Sequence, residues 1–317
     1  GMLEKADVVY RYHDWNRTGD RRRVLYMEHV GTVLPQFHAE VPAEAHEAAA
    51  TEGYFSAGVD IAVDTSRTPA VVTVHVTPGD ATHIREVDLH VTGPASEDPA
   101  AGAQAIDKVR GEWRLPIGAI FRQSAWTTSK ERAVATLAAQ RYAAAKLASS
   151  EAYIDPEARA ADLHVEIDSG PPFHVGPLQV QGTRRYDESL VRNYSTLQRG
   201  APYALADLDQ YVRRLNATGY FASVHAVIDT DPAHADDAPV TVSVIEAPPK
   251  RLETGVGFST DTRLRASLNY RDVDFANRAL QFTTDLSIEQ ALQNASVRLV
   301  RPPDERGWSL AGTFSVQ

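Results

Sequence analysis

The chain has 317 residues, enough for two to four domains, and its 43% hydrophobic and 23% charged content supports packed cores and excludes a disordered chain. Lys plus Arg is 32 against 42 for Asp plus Glu, and the net charge of −10 excludes a protein that coats nucleic acid through a basic surface. Without cysteine, disulfide frameworks, thiolate zinc sites and cysteine nucleophiles are excluded too.

Residues 1–40 show no strand able to open a repeat, no signal-peptide core and one strong basic run, Arg21-Arg22-Arg23, read as a solvated turn, with a periplasmic or inner-membrane-facing contact as the alternative. Self-similarity then begins. Gly53-Tyr54-Phe55 follows a helical-looking stretch and precedes a strand-like one, and Gly219-Tyr220-Phe221 does the same. Arg141-Tyr142-Ala143-Ala144 holds the equivalent place after 125–140, with arginine where glycine stands in the other copies. Leu89-His90-Val91-Thr92-Gly93 matches Leu178-Gln179-Val180-Gln181-Gly182, and alternating strands recur at 72–79, 163–170 and 240–248. The spacing therefore predicts repeats of order β-α-α-β-β, with helices on one face of a three-stranded sheet.

The last copy is the clearest. A strand over 175–180 ends at Gly182, and Asp187 is placed to cap a helix carrying Leu190, Val191, Tyr194 and Leu197. A second helix shows Leu205, Leu208, Val212 and Leu215 on one face, and Gly219 ends it in the left-handed region. Tyr220 and Phe221 are expected in the core.

After Pro248-Pro249 the helical period gives way to strict two-residue alternation. Leu252, Thr254, Val256 and Phe258 share one side of 251–260, against Arg251, Glu253, Gly255, Gly257 and Ser259. Strands over 263–271, 280–288, 294–300 and 308–316 continue the theme. Segments of about ten residues with one polar face fit transmembrane β-hairpins; strands of a soluble sandwich are usually nearer five or six. Five strands do not close a barrel, and the sequence stops at Gln317 within a strand, so a longer protein is expected.

Together these features resemble the POTRA-bearing outer-membrane assembly proteins. Repeats running directly into a barrel that opens Leu252-Glu253-Thr254-Gly255-Val256-Gly257-Phe258-Ser259-Thr260-Asp261 are most similar to the TamA family, and Gly-Tyr-Phe at 53–55 and 219–221 is typical of POTRA second-helix ends. Two-partner secretion transporters and the central barrel-assembly protein are relatives with other repeat numbers. The resemblance implies an α+β fold of three POTRA units followed by the first strands of a truncated antiparallel transmembrane barrel. The domains would be 1–79 (a partial first POTRA), 80–170, 171–248, and the barrel start at 249–317. It implies a factor that inserts β-barrel clients such as autotransporters, resident in the bacterial outer membrane with its POTRA array in the periplasm. Its partners would be unfolded client barrels, a periplasm-spanning TamB-like subunit and outer-membrane lipid, with no nucleic acid and no cofactor. Thr254, Gly255, Val256, Gly257 and Phe258 would form the seam strand that pairs with clients, where the glycines keep pairing weak.

Motifs for chemistry are missing. No His-Glu-x-x-His, Gly-x-Ser-x-Gly or phosphate loop occurs, and Gly255-x-Gly257 stands on a strand without a following helix. His83 with His90 lacks a third ligand, and His29, His38 and His46 are expected on exposed helix or loop. No catalytic, metal or cofactor residue is therefore expected. A passive POTRA scaffold, or a hydrolase whose enzyme domain lies upstream, are the alternatives from other classes.

Overall fold

The computed structural model describes residues 9–12, 21–27, 42–64, 66, 70–259, 263–289 and 293–316. His29 and His38 lie outside them. The chain divides into two compact units, Gly1–Leu137 with Ala145–Ser169, and Ala138–Ala144 with Gly170–Gln317.

In the first unit, strands β1 (Val9–Tyr12), β2 (Arg21–Met27), β3 (Gly58–Asp64) and β4 (Ala70–Thr77) form an antiparallel sheet ordered β1-β2-β4-β3, with helix α1 over residues 42–51. Two sequence expectations are corrected here. Strands do exist before residue 40, and Arg21-Arg22-Arg23 opens β2 rather than a turn, paired with Val76, His75 and Val74. The β-favouring run Val24-Leu25-Tyr26-Met27 carries the arginines into the strand.

The same unit holds β5 (His83–Thr92), α2 (Pro94–Glu97), α3 (Ala101–Gly111), α4 (Gln123–Ala138), β6 (Lys146–Asp155) and β7 (Ala160–Asp168). Its sheet order is β5-β7-β6, with β5 parallel and β6 antiparallel to β7. Leu163, Val165 and Ile167, alternate residues of β7, are buried with Leu89, Val91, Val109, Trp126 and Leu137. The opposite face carries Glu86, Asp88, Asp162, His164, Glu166 and Asp168 by register.

The second unit repeats this order: β8 (Val175–Gln181), α5 (Glu188–Asn193), α6 (Leu205–Ala217), β9 (Phe221–Ile228), a 3-10 turn (Pro232–Asp237) and β10 (Ala238–Glu246), with sheet order β8-β10-β9. Asp187 caps α5, its carboxylate accepting from the Ser189 amide at 2.8 Å. The helix is shorter than its sequence pattern suggests, so Tyr194 and Leu197 lie beyond it and pack at the core margin. On α6 the buried face is Leu208, Tyr211 and Leu215, while Leu205 is half-exposed. Tyr211 is fully buried, and its hydroxyl donates to the Val191 carbonyl at 2.8 Å, which satisfies the one polar atom it buries; Leu205, the first residue of the helix, lies at the margin of that face.

Beyond β10 runs a five-stranded antiparallel meander: β11 (Lys250–Ser259), β12 (Arg263–Phe275), β13 (Leu280–Glu289), β14 (Gln293–Arg301) and β15 (Leu310–Val316), hydrogen-bonded in that order. β12 extends to Phe275, beyond the 271 of the alternation, and β15 starts at 310 rather than 308. By register, Leu252, Val256, Phe258, Leu286, Ile288, Val297, Leu299, Leu310, Phe314 and Val316 share one face. All of them are exposed. Gly255, Ser267, Asn269, Thr283, Asp285, Ser296, Arg298 and Thr313 lie on the other face. No described helix is long and apolar enough to cross a membrane, which says nothing of strands.

Candidate functional site

β11 is the first edge of the meander, paired on one side only among the described residues. Its register with β12 is unbroken from Lys250↔Asp272 to Ser259↔Arg263. Val256 is 87% and Phe258 77% exposed on the apolar face. The two glycines of the opposite face differ. A Cβ at Gly255 would stand 2.8 Å from the Ser267 hydroxyl, whereas one at Gly257 would meet nothing within 4 Å. Thr254, Gly255, Val256, Gly257 and Phe258 thus form one continuous, one-sided backbone edge. The chemistry available to such an edge is main-chain pairing with another strand.

The repeat sheets offer edges as well. β5 carries charges and a register break at Ile84/Glu86, β6 one at Leu147/Ser149, and β8 contains Pro177. These are the usual guards against unwanted pairing. β9, the edge opposite β8 in its sheet, reads Phe-Ala-Ser-Val-His-Ala-Val-Ile, with neither proline nor acid nor Lys or Arg.

Gly53, Tyr54 and Phe55 sit in the turn after α1; Gly219 and Tyr220 sit in the turn between α6 and β9, and Phe221 opens β9. Both glycines have positive φ, 94° and 82°. At Gly53 a Cβ would also lie 2.2 Å from the Phe121 carbonyl oxygen, so space and dihedral both demand glycine. Here the Thr82 amide donates to the Gly53 carbonyl at 2.8 Å, and Phe55 lies 5.9 Å from Phe121 ring to ring. In the second unit Gln281 Nε2 donates to the Thr218 carbonyl at 3.1 Å, and the Tyr220 hydroxyl to that of Ala279 at 2.7 Å. The turn at Arg141 has no positive φ, which explains why glycine is dispensable there, yet its carbonyl accepts from the Phe173 amide at 2.7 Å. Each signature turn therefore receives a donor from the element that follows its own repeat. Tyr220 is fully buried and Phe221 5% exposed, as core residues are; burial pushes the Tyr220 hydroxyl up and keeps it a donor.

Sequence reading missed what surrounds that last turn. Glu246, at the end of β10, accepts from the amides of Arg184, Arg185 and Tyr186 at 2.7, 2.8 and 3.2 Å. Burial pushes its carboxyl up, but these three donors and the Arg185 charge bring it below the usual glutamate value. The β12–β13 turn holds Ala276, Asn277 and Ala279 at φ 58°, 55° and 52°, and Val273 beside it is 2% exposed within the core of the preceding repeat. Asn193 Nδ2 reaches the Pro303 carbonyl at 3.0 Å in the β14–β15 loop. A buried valine amid alternating residues near a turn was the one signal available.

No group of three His, Asp or Glu residues able to hold a metal occurs among the described residues. His83 and His90 stand seven positions apart on β5, roughly 23 Å at strand rise, and His46 is exposed on α1.

Residues 173–247 match the POTRA family, surface antigen variable number repeat. Among solved structures, BamA from Haemophilus ducreyi lacking POTRA domains 1–3 is 17% identical with a TM-score of 0.55, covering 74% of this chain and 42% of that one. CdiB from Acinetobacter baumannii is 11% identical with a TM-score of 0.38, over 74% of this chain and 44% of that one. The chain thus spans less than half the length of either protein, and the likeness of fold rests on the first. Residues 173–247 are therefore a POTRA domain, set in a chain with a BamA-like fold.

Proposed function

We propose that this chain is part of an outer-membrane assembly factor of the TamA type, which inserts β-barrel clients such as autotransporters. The observation that carries this reading is the exposed apolar face of β11–β15, opposite a polar face on the same strands. A sheet so divided is at ease only with lipid on one side and a wet lumen on the other. In this reading 249–317 begins a barrel, and the stretches 1–79, 80–170 and 171–248 form a periplasmic POTRA array. The array hands extended clients along unguarded edges such as β9, and a TamB-like subunit spans the periplasm behind it. Client strands add to β11 at Thr254–Phe258 by backbone pairing. The driving force is burial of client strands in lipid and closure of their edges, with no enzyme chemistry and no cofactor.

The test uses full-length protein in liposomes with an autotransporter barrel as client. Photo-crosslinkers at Thr254, Val256 and Phe258 are expected to capture the client during insertion. Proline at a β11 position whose amide faces the open edge removes a donor and should abolish both crosslinks and insertion while the protein itself still folds. Undiminished insertion by the proline variants would refute the seam, and no insertion by the wild-type protein would leave only a POTRA scaffold.

A further inference from the structure

Between the POTRA domain and the turns of the five-stranded sheet lies an open groove of about 1060 Å³. Its charged lining is balanced, with Arg185, Arg278, Arg301 and Arg306 against Asp187, Asp274, Asp304 and Glu305. Three of the acids are engaged by backbone. Asp187 caps α5, Asp274 accepts from the Ala279 amide at 3.0 Å with Arg185 at 4.0 Å, and Asp304 accepts from the amides of Arg306 and Trp308 at 2.9 and 3.0 Å. Arg278, Arg301, Arg306 and Glu305 are exposed and make no ion pair among the described residues. Three guanidinium forks and one carboxylate are left facing a single opening.

The groove's position narrows the ligand. Arg301 pairs with Leu310 on the apolar face of the sheet and is the charge at which that face stops. Trp308, two residues before Leu310 in the chain, is 75% exposed. An indole with arginines at the end of an apolar strand face is how the boundary between lipid tails and headgroups is marked.

We infer that this groove binds the headgroup of a zwitterionic, amine-bearing phospholipid, its phosphate on Arg278, Arg301 and Arg306 and its ammonium on Glu305. Guanidinium forks match phosphate oxygens in pairs. The balanced lining favours a ligand that brings both charges over one that is only anionic. The inference rests on β11–β15 being membrane strands.

The full-length protein, purified in detergent, is offered equal amounts of phosphatidylethanolamine, phosphatidylglycerol and phosphatidylcholine, and retained lipid is read by native mass spectrometry. Phosphatidylethanolamine is expected to be retained about tenfold over the others, the equivalent of one charged hydrogen bond. Arg278→Ala, Arg301→Ala and Arg306→Ala together should remove retention of all phospholipids. Glu305→Gln should remove only the preference for the primary amine. Equal retention of phosphatidylglycerol, retention by the triple variant, or displacement by millimolar inorganic phosphate would overturn the inference; the last would mean a free-phosphate site. Protease protection in vesicles keeps the two readings apart. A protein that inserts but shows no lipid selection loses this site alone, and one that does not insert loses the membrane reading as well.

Discussion

The sheet β8-β10-β9 and the meander β11–β15 share the same two-residue alternation, yet their apolar residues have opposite destinations. Val240, Val242 and Val244 on β10 are 0%, 0% and 4% exposed, packed with Leu208, Tyr211 and Leu215 of α6. Val256 on β11 is 87% exposed. The difference is cover: helices lie over the first sheet, and no described helix lies over the second. Alternation decides which side chains share a face, while the solvent that face meets depends on what else the sequence supplies.

The sharpest way to break this comparison is to cut the cover on one side of it. Leu208→Ala should destabilise the POTRA domain by about 2 to 5 kcal/mol, read by chemical denaturation, because the cavity opens in a closed core. A loss under about 1 kcal/mol would mean that α6 does not seal the sheet. On the uncovered side, Val256→Lys should cost about 2 to 4 kcal/mol when folding is measured in lipid bilayers, and should leave the stability of the POTRA domain almost unchanged. Indifference in lipid would place that face in water. A smaller effect is expected where the two sheets join. Glu246→Ala leaves three amides without their carboxylate and should cost about 1 to 3 kcal/mol.

The same glutamate gives the least effect, a pH dependence. Its carboxyl titrates below the ordinary value of 4.5 in the folded protein, so its contribution is complete above that pH and is lost as pH falls through the folded value. Wild-type stability measured between pH 6 and 3 should therefore converge on that of Glu246→Gln at the acid end. Curves that stay parallel throughout would show that the carboxylate contributes nothing there.

Much of this architecture is legible in the residues. Helical spacing on 205–217 and alternation on 240–246 and 250–316 follow from period alone, and Gly219 marks its turn because only glycine sits easily at φ 82°. What escaped was set by distant partners. Tyr211 takes a place on the buried helix face with its hydroxyl bonded to Val191, twenty residues away, while Leu205 stays half-exposed at the helix start. β2 took the place beside β4 although its sequence begins with three arginines, a pairing set by the partner strand and not by the run itself. The junction groove was invisible because Asn193 and Pro303, or Tyr220 and Ala279, meet only after both sheets exist. The candidate edge at Thr254–Phe258 was readable as a strand, but its place at the border of the meander is a property of the order β11-β12-β13-β14-β15.

The β12–β13 turn has a bearing on the order of events in folding. Ala276, Asn277 and Ala279 hold left-handed dihedrals that cost an L-residue roughly 1 kcal/mol or more each. Outside its setting such a hairpin would choose another loop. Here the Tyr220 hydroxyl grips the Ala279 carbonyl, Gln281 reaches the Thr218 carbonyl and Val273 sinks among POTRA side chains. The POTRA domain precedes the hairpin in the chain, so a protein made from its N-terminus has this mould finished before the hairpin arrives. The loop is then cast against it rather than found by search, and the register of β12 and β13 is imposed from outside the two strands themselves.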